Sequence, residues 1–143
     1  MVHLLDTNVL IALVDHSHVH NPQATAFFRQ CMLDGWATCP LTENGFIRIL
    51  GHPGYTGGPG SPDEARKLLA AYRAAPGHLF WPDDLSLHDS HLFPSLPVSK
   101  HLTDVYLLAL AVKHGGRFAT FDRRIDPTLT PGGPRAFHLI HKP

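Results

Sequence analysis

The chain has 143 residues, 43% of them hydrophobic and 17% charged, which suits one domain with one core over residues 1–143 and excludes a disordered or disulfide-built chain. Its 12 basic and 12 acidic residues cancel, so composition carries no basic footprint of nucleic-acid binding. Cys31 and Cys39 are too few and too far apart for a structural zinc site, and read as buried free thiols of a reducing cytoplasm.

The elements are expected in this order. Val2 to Leu5 is a short buried strand ending at Asp6. Asn8 caps a helix from Val9 to about Asp15, and His16 to Pro22 is a polar loop. A helix from Gln23 to about Leu33 is stopped by Asp34-Gly35, and Trp36 to Cys39 forms the second strand. Pro40 opens a helix from Leu41 to Leu50 with apolar residues at Phe46, Ile47, Ile49 and Leu50. Gly51 to Pro62 is a glycine- and proline-rich loop, read as a loop rather than a domain boundary.

Ser61 then caps a helix from Pro62 to about Ala75, with Glu64 placed for a capping box, and His78 to Trp81 is a third strand. Ser86 to about Phe93 is expected as a short helix and Pro94 to Lys100 as a loop. Thr103 caps an apolar helix from Asp104 to about His114, ended by Gly115-Gly116. Arg117 to Thr120 and Ala136 to Ile140 are the last strands, followed by a polar tail. Strands alternating with helices predict an α/β fold, a mostly parallel sheet with helices on both faces, and binding groups at the carboxyl ends of its strands. No run of about 18 apolar residues is present, so no membrane span is expected. The apolar helix stretches Ala24 to Met32 and Leu68 to Tyr72 suit either the core or a partner.

Four carboxylates stand where carboxylates need a reason. Asp6 and Asp122 each follow a buried strand, Asp104 lies in the first turn of an apolar helix, and Glu43 begins the helix after the second strand. Taken singly, each has a plainer reading: Asp104 as a helix-start acid, Glu43 as a solvated residue, Asp122 as a turn residue. Asp6, beside the core, is the hardest to dismiss. If the four converge, their repulsion must be offset, and hard divalent cations with oxygen ligands do that. Such a site suits phosphodiester hydrolysis.

These residues also occur in recognisable surroundings. Leu4-Leu5-Asp6-Thr7-Asn8-Val9-Leu10-Ile11, Thr42-Glu43-Asn44-Gly45-Phe46-Ile47-Arg48, Leu102-Thr103-Asp104-Val105-Tyr106-Leu107-Leu108-Ala109 and Ala119-Thr120-Phe121-Asp122-Arg123-Arg124 resemble, in order, the acid-bearing segments of PIN domains. The nearest subgroup is the VapC-type toxin of bacterial toxin–antitoxin pairs. The resemblance implies a three-layer α/β/α fold and Mg²⁺ or Mn²⁺ at Asp6, Glu43, Asp104 and Asp122. It implies endonucleolytic cleavage of RNA, a homodimer, a VapB-type antitoxin partner and the bacterial cytoplasm. Thr7, Asn8 and Thr120 match positions that support the acids.

Other signals are weaker. His16, His18 and His20 alternate in a loop, without the ligand set of a zinc or copper site, and suit a solvated or substrate-facing loop. Arg48, Arg123 and Arg124 are candidates for phosphate contacts, or for ordinary surface charge and ion pairs with Asp126. Trp36, Phe80 and Trp81 are expected in the core rather than stacked on bases. Two other functions compete. In a phosphatase, Asp6 would be an aspartyl nucleophile, but the second acid such enzymes carry two residues on is here Asn8. In a non-catalytic PIN-like module, RNA or protein would be bound without cleavage.

Overall fold

The computed structural model describes residues 1–141; the polar tail beyond His141 lies outside the described residues. Five strands form one parallel sheet: β1 (His3–Leu5), β2 (Trp36–Thr38), β3 (His78–Phe80), β4 (Arg117–Thr120) and β5 (Phe137–Leu139). Their order is β3-β2-β1-β4-β5. Register places Leu4 beside Ala37 and Phe118, so β1 is central and covered on both sides. The helices are α1 (Thr7–Val14), α2 (Asn21–Asp34), α3 (Pro40–Leu50), α4 (Pro62–Arg73), α5 (Leu102–Lys113) and α6 (Gly133–Ala136).

The two-residue period of the strands divides the core into two layers. Leu4, Ala37 and Phe118 face α5, packing with Val105, Leu107, Leu108 and Leu110. Their neighbours Leu5, Trp36 and Ala119 face the other way, onto Leu10, Phe28, Phe46 and Leu69 of α1 to α4. This is the expected three-layer α/β/α fold. The apolar stretches of α2 and α4 are spent on this core: Ala24, Phe28, Cys31 and Leu69 are buried, with Phe27, Met32, Leu68 and Tyr72 packed against them. Trp36 and Trp81 are buried, as are both free thiols, whose pKa values burial pushes up to about 12. Among the described residues, no helix is long and apolar enough to cross a membrane.

Several expectations need correction. Ser86 to Phe93 forms turns, not a helix. The Asp89 carboxylate accepts from the backbone N–H groups of His91 and Leu92, and Ser86 Oγ from that of His88, so side chains take the donors a helix would use. Thr103 does not cap α5. That helix begins at Leu102, continuing directly from a 3₁₀ turn, Ser99–His101. Asn8 lies inside α1, and its side chain reaches Thr120 and the Phe121 amide instead of capping. Ser61 does cap α4, accepting from Glu64 N, but the Glu64 carboxylate pairs with Lys67. Phe80 is 46% exposed on an edge strand, with the Arg73 guanidinium 5.2 Å over its ring. Residues 133–136 form the unexpected α6, so Ala136, expected to open the last strand, ends a helix instead.

Candidate metal centre

The carboxyl edge of the sheet gathers the acids. Asp6 leaves β1 as the N-cap residue of α1, yet its side chain makes no cap bond. It turns instead to β4, where Thr120 Oγ1 donates to Asp6 Oδ2 at 2.7 Å. The same Thr120 oxygen accepts from the Asp122 amide at 3.1 Å and from Asn8 Nδ2 at 3.3 Å. One buried hydroxyl thus ties together the ends of β1 and β4 and the two acids that follow them. Asp104 enters from the first turn of α5, where the positive end of the helix favours an anion.

Asp104 and Asp122 bring ligand atoms within 4.8 Å of one another, and Thr120 ties Asp6 to the Asp122 turn beside them. Asp6 is only 6% exposed, and burial pushes its pKa up to about 7 against the Thr120 bond, with the charges of Asp104 and Asp122 raising it further. Burial also raises Asp104, again with help from Asp122. Asp122 is held below the usual carboxylate range by Arg124, whose Nε lies 3.1 Å from Oδ1. Arg124 therefore pairs with Asp122, not with Asp126, whose carboxylate binds Thr128. That guanidinium is 69% exposed on the rim.

Glu43 sits at the same edge on the neighbouring strand's side, but its interactions run to other groups. Its Oε2 accepts from the Thr38 hydroxyl at 2.7 Å and lies 3.3 Å from Arg73 Nη1. The turn carrying it is pressed against the Asp6 turn: Thr7 Oγ1 donates to Thr42 O at 3.3 Å. At position 45 a Cβ would stand 2.6 Å from Thr7 Oγ1, so any residue larger than glycine must displace the Thr7 side chain. Arg48 is exposed and lines a shallow pocket with Ile49, His52, Gly54 and Tyr55 that none of the four acids lines.

Sequence reasoning missed several residues. His101, three residues before Asp104, brings a ring nitrogen into a group with Asp104 and Asp122 whose ligand atoms all lie within 4.8 Å of one another. His101 Nδ1 is buried without a hydrogen-bond partner and stands 3.6 Å from Asp104 Oδ2, too far for a hydrogen bond. Its three-residue spacing from Asp104 was visible in the sequence. Thr38, His78 and Arg73 around Glu43 carried no such local signal.

A hard divalent cation fits this donor set. Asp6 is a buried carboxylate that makes no ion pair among the described residues and feels the charges of Asp104 and Asp122, and oxygen ligands of that kind suit Mg²⁺- or Mn²⁺-like ions. The PIN domain model matches residues 3–128. Ribonuclease VapC44 of Mycobacterium tuberculosis is 43% identical over 134 residues, which is 92% of this chain and 94% of that protein. Ribonuclease VapC39 of the same organism is 41% identical over 134 residues, covering 92% and 96%. The crystal structure of VapBC2 from Rickettsia felis bound to a DNA fragment from their promoter shares the fold, with a TM-score of 0.58 at 9% identity over 85% of this chain and 89% of that one. With its acids at the sheet edge and near-full-length similarity to these ribonucleases, the chain belongs to the PIN-domain family, in its VapC branch.

Proposed function

We propose that the chain, as one PIN domain over residues 1–143, is a metal-dependent endoribonuclease and the toxin of a VapBC-type pair. The observation that carries this reading is one sheet edge at which Asp104 and Asp122 bring ligand atoms within 4.8 Å of each other while Thr120 ties the buried Asp6 to the Asp122 turn, an arrangement that a bound cation relieves. The VapC ribonucleases it resembles along nearly their whole length support the choice of RNA as substrate.

In this reading Asp6, Asp104 and Asp122 hold Mg²⁺ or Mn²⁺ together with Glu43. The ion supplies positive charge for a phosphodiester and acidifies water at the site. The protein's part is positional. Thr120 fixes Asp6 and the Asp122 turn, Thr38 fixes Glu43, and Asn8 braces Thr120. Asn8 stands where an aspartyl phosphatase needs its second acid, which sets Asp6 apart from an aspartyl nucleophile. Arg123 and Arg124 follow Asp122 on the rim; Arg123 is placed for RNA phosphates, while Arg124 is held by Asp122. The same reading carries a VapB-type antitoxin, a homodimer and the bacterial cytoplasm as further proposals. The VapBC2 structure, a toxin–antitoxin assembly, supports the antitoxin.

The test is cleavage of RNA by the purified chain with Mg²⁺ or Mn²⁺, set against Asp6→Asn and Asp104→Asn. Cleavage is expected to need the metal and to vanish in both folded variants. Metal uptake without cleavage of any RNA would favour a binding module instead.

A further inference from the structure

Beside the acids lies a pocket of different chemistry. It encloses about 340 Å³ and is lined by His20, Gln23, Phe121, Arg123, Ile140 and His141. That volume falls in the range of small-ligand sites. The pocket opens at the same sheet edge, since Ile140 N donates to Thr120 O at 2.9 Å and Phe121 and Arg123 adjoin Asp122 in the chain.

Its lining has the chemistry of a nucleotide. His20, the N-cap residue of α2, makes no cap bond; its ring stacks on Phe121 with centroids 4.6 Å apart and planes 14° from parallel. Both rings are half-buried, so the stack is not sealed in the core. Arg123 is exposed and makes no ion pair among the described residues, whereas Arg124 is engaged by Asp122. Gln23 Oε1 is buried without a hydrogen-bond partner. The N-terminus of the fourteen-residue α2 adds a partial positive charge beside the pocket.

We propose that this pocket holds one nucleotide of single-stranded RNA next to the scissile phosphate. Its base joins the His20–Phe121 stack, its polar edge meets Gln23, and its phosphate pairs with Arg123. The proposal rests on the ribonuclease reading for the identity of the ligand. It gives the polar histidine loop and Arg123 a role in substrate recognition that the acidic centre does not use.

The experiment measures binding of a fluorescent randomised twelve-nucleotide RNA pool to the full chain carrying Asp104→Asn, which prevents cleavage. Adding His20→Ala is expected to weaken binding about tenfold, because base–aromatic stacking contributes about 1–3 kcal/mol. His20→Phe keeps an aromatic ring and retains affinity, so loss in the alanine variant is not mere misfolding. Arg123→Gln is expected to weaken binding and lower the salt slope by about 0.7. RNA bearing 4-thiouridine is expected to cross-link to residues 20–23 or 121–123. Unchanged affinity in both His20→Ala and Arg123→Gln, equal affinity for duplex RNA, or no RNA binding at all overturns the subsite. The unmutated chain's cleavage activity is scored separately. Cleavage with His20-independent binding removes only the subsite, whereas His20-dependent binding without cleavage removes only the nuclease reading.

Discussion

Thr120 Oγ1 and Asp6 Oδ2 lie 2.7 Å apart although 114 residues separate them in the chain. The bond exists because β1 and β4 are adjacent parallel strands that end together, each releasing a polar residue at the same edge. Thr120 is fully buried, and its hydroxyl serves Asp6, Asn8 and the Asp122 amide at once. Thr120→Val keeps the shape but strands all three partners. It is expected to cost about 2 kcal/mol in urea unfolding and to weaken metal binding about 10–100-fold, as lost support of a ligand does. Thr120→Ser should recover most of both. Wild-type metal affinity in the valine variant would show that the hydroxyl does not position Asp6.

Asp6 gives a sharper prediction, because the metal-free fold must hold a crowded, buried carboxyl. Its pKa rises from the ordinary 3.8 to about 7, so the folded state keeps a proton that the unfolded chain loses. Stability of the metal-free protein therefore falls as pH rises from about 4 to about 7, and above that the full cost is present. In chelator at pH 8, Asp6→Asn is expected to be more stable than the parent by about 1–3 kcal/mol. Saturating Mn²⁺ should raise the parent's melting temperature and leave the variant's unmoved, because only a cation that binds the folded state stabilises it. A variant less stable than the parent in chelator would mean that the Asp6 charge is already compensated within the protein.

The positions of Asp6, Asp104 and Asp122 at element boundaries were legible because each stands beside a hydrophobic run, whereas Glu43 does not. Leu4-Leu5 before Asp6 and Phe118-Ala119 before Thr120 declare buried strands, and an acid at such a boundary is conspicuous. Local chemistry misled where two local rules competed. Thr103 looks like a cap, but the 3₁₀ turn at Ser99–His101 runs straight into α5 and leaves no break for a cap to mark. Ser86 and Asp89 suit a helix start, yet their side chains hold the chain in turns. The partners of Glu43 could not be read at all. Arg73 is 30 residues away and His78 reaches it only through Thr38, so their meeting follows from helix packing and strand order.

That assembly around Glu43 is testable. The Thr38 hydroxyl donates its one proton to Glu43, so His78 Nε2, 2.8 Å away, must be the N–H donor to Thr38. Thr38→Val is expected to cut metal-dependent RNA cleavage about tenfold, and Glu43→Gln about a hundredfold, on the scale of lost ligand support and lost charge stabilisation. Because Thr38 acts through Glu43, the double variant should be no slower than Glu43→Gln alone. Independent, multiplying effects would separate Thr38 from Glu43. Arg73→Gln should change stability by less than about 1 kcal/mol, since the Arg73 side chain is 41% exposed and such pairs contribute little.

The far end of the sheet from the metal centre sets an acid limit on the fold. His3 packs its ring edge-on against Phe27 and His138, each at 5.1 Å, and both its ring nitrogens are buried without partners. Burial, then the nearby His138 and Arg117, lowers its pKa from 6.5 to about 4, and burial lowers His138 too. The folded state thus keeps His3 neutral while the unfolded chain takes up a proton below pH 6.5. Stability is full above that pH and is lost as pH falls towards 4, by about 1–2 kcal/mol from His3 once solvent screening is allowed for. His3→Phe keeps the aromatic packing and removes the proton uptake. Urea midpoints at pH 7.5, 6 and 5 should converge on a smaller acid loss in the variant than in the parent. Equal losses in the two proteins would place the acid sensitivity elsewhere in the chain.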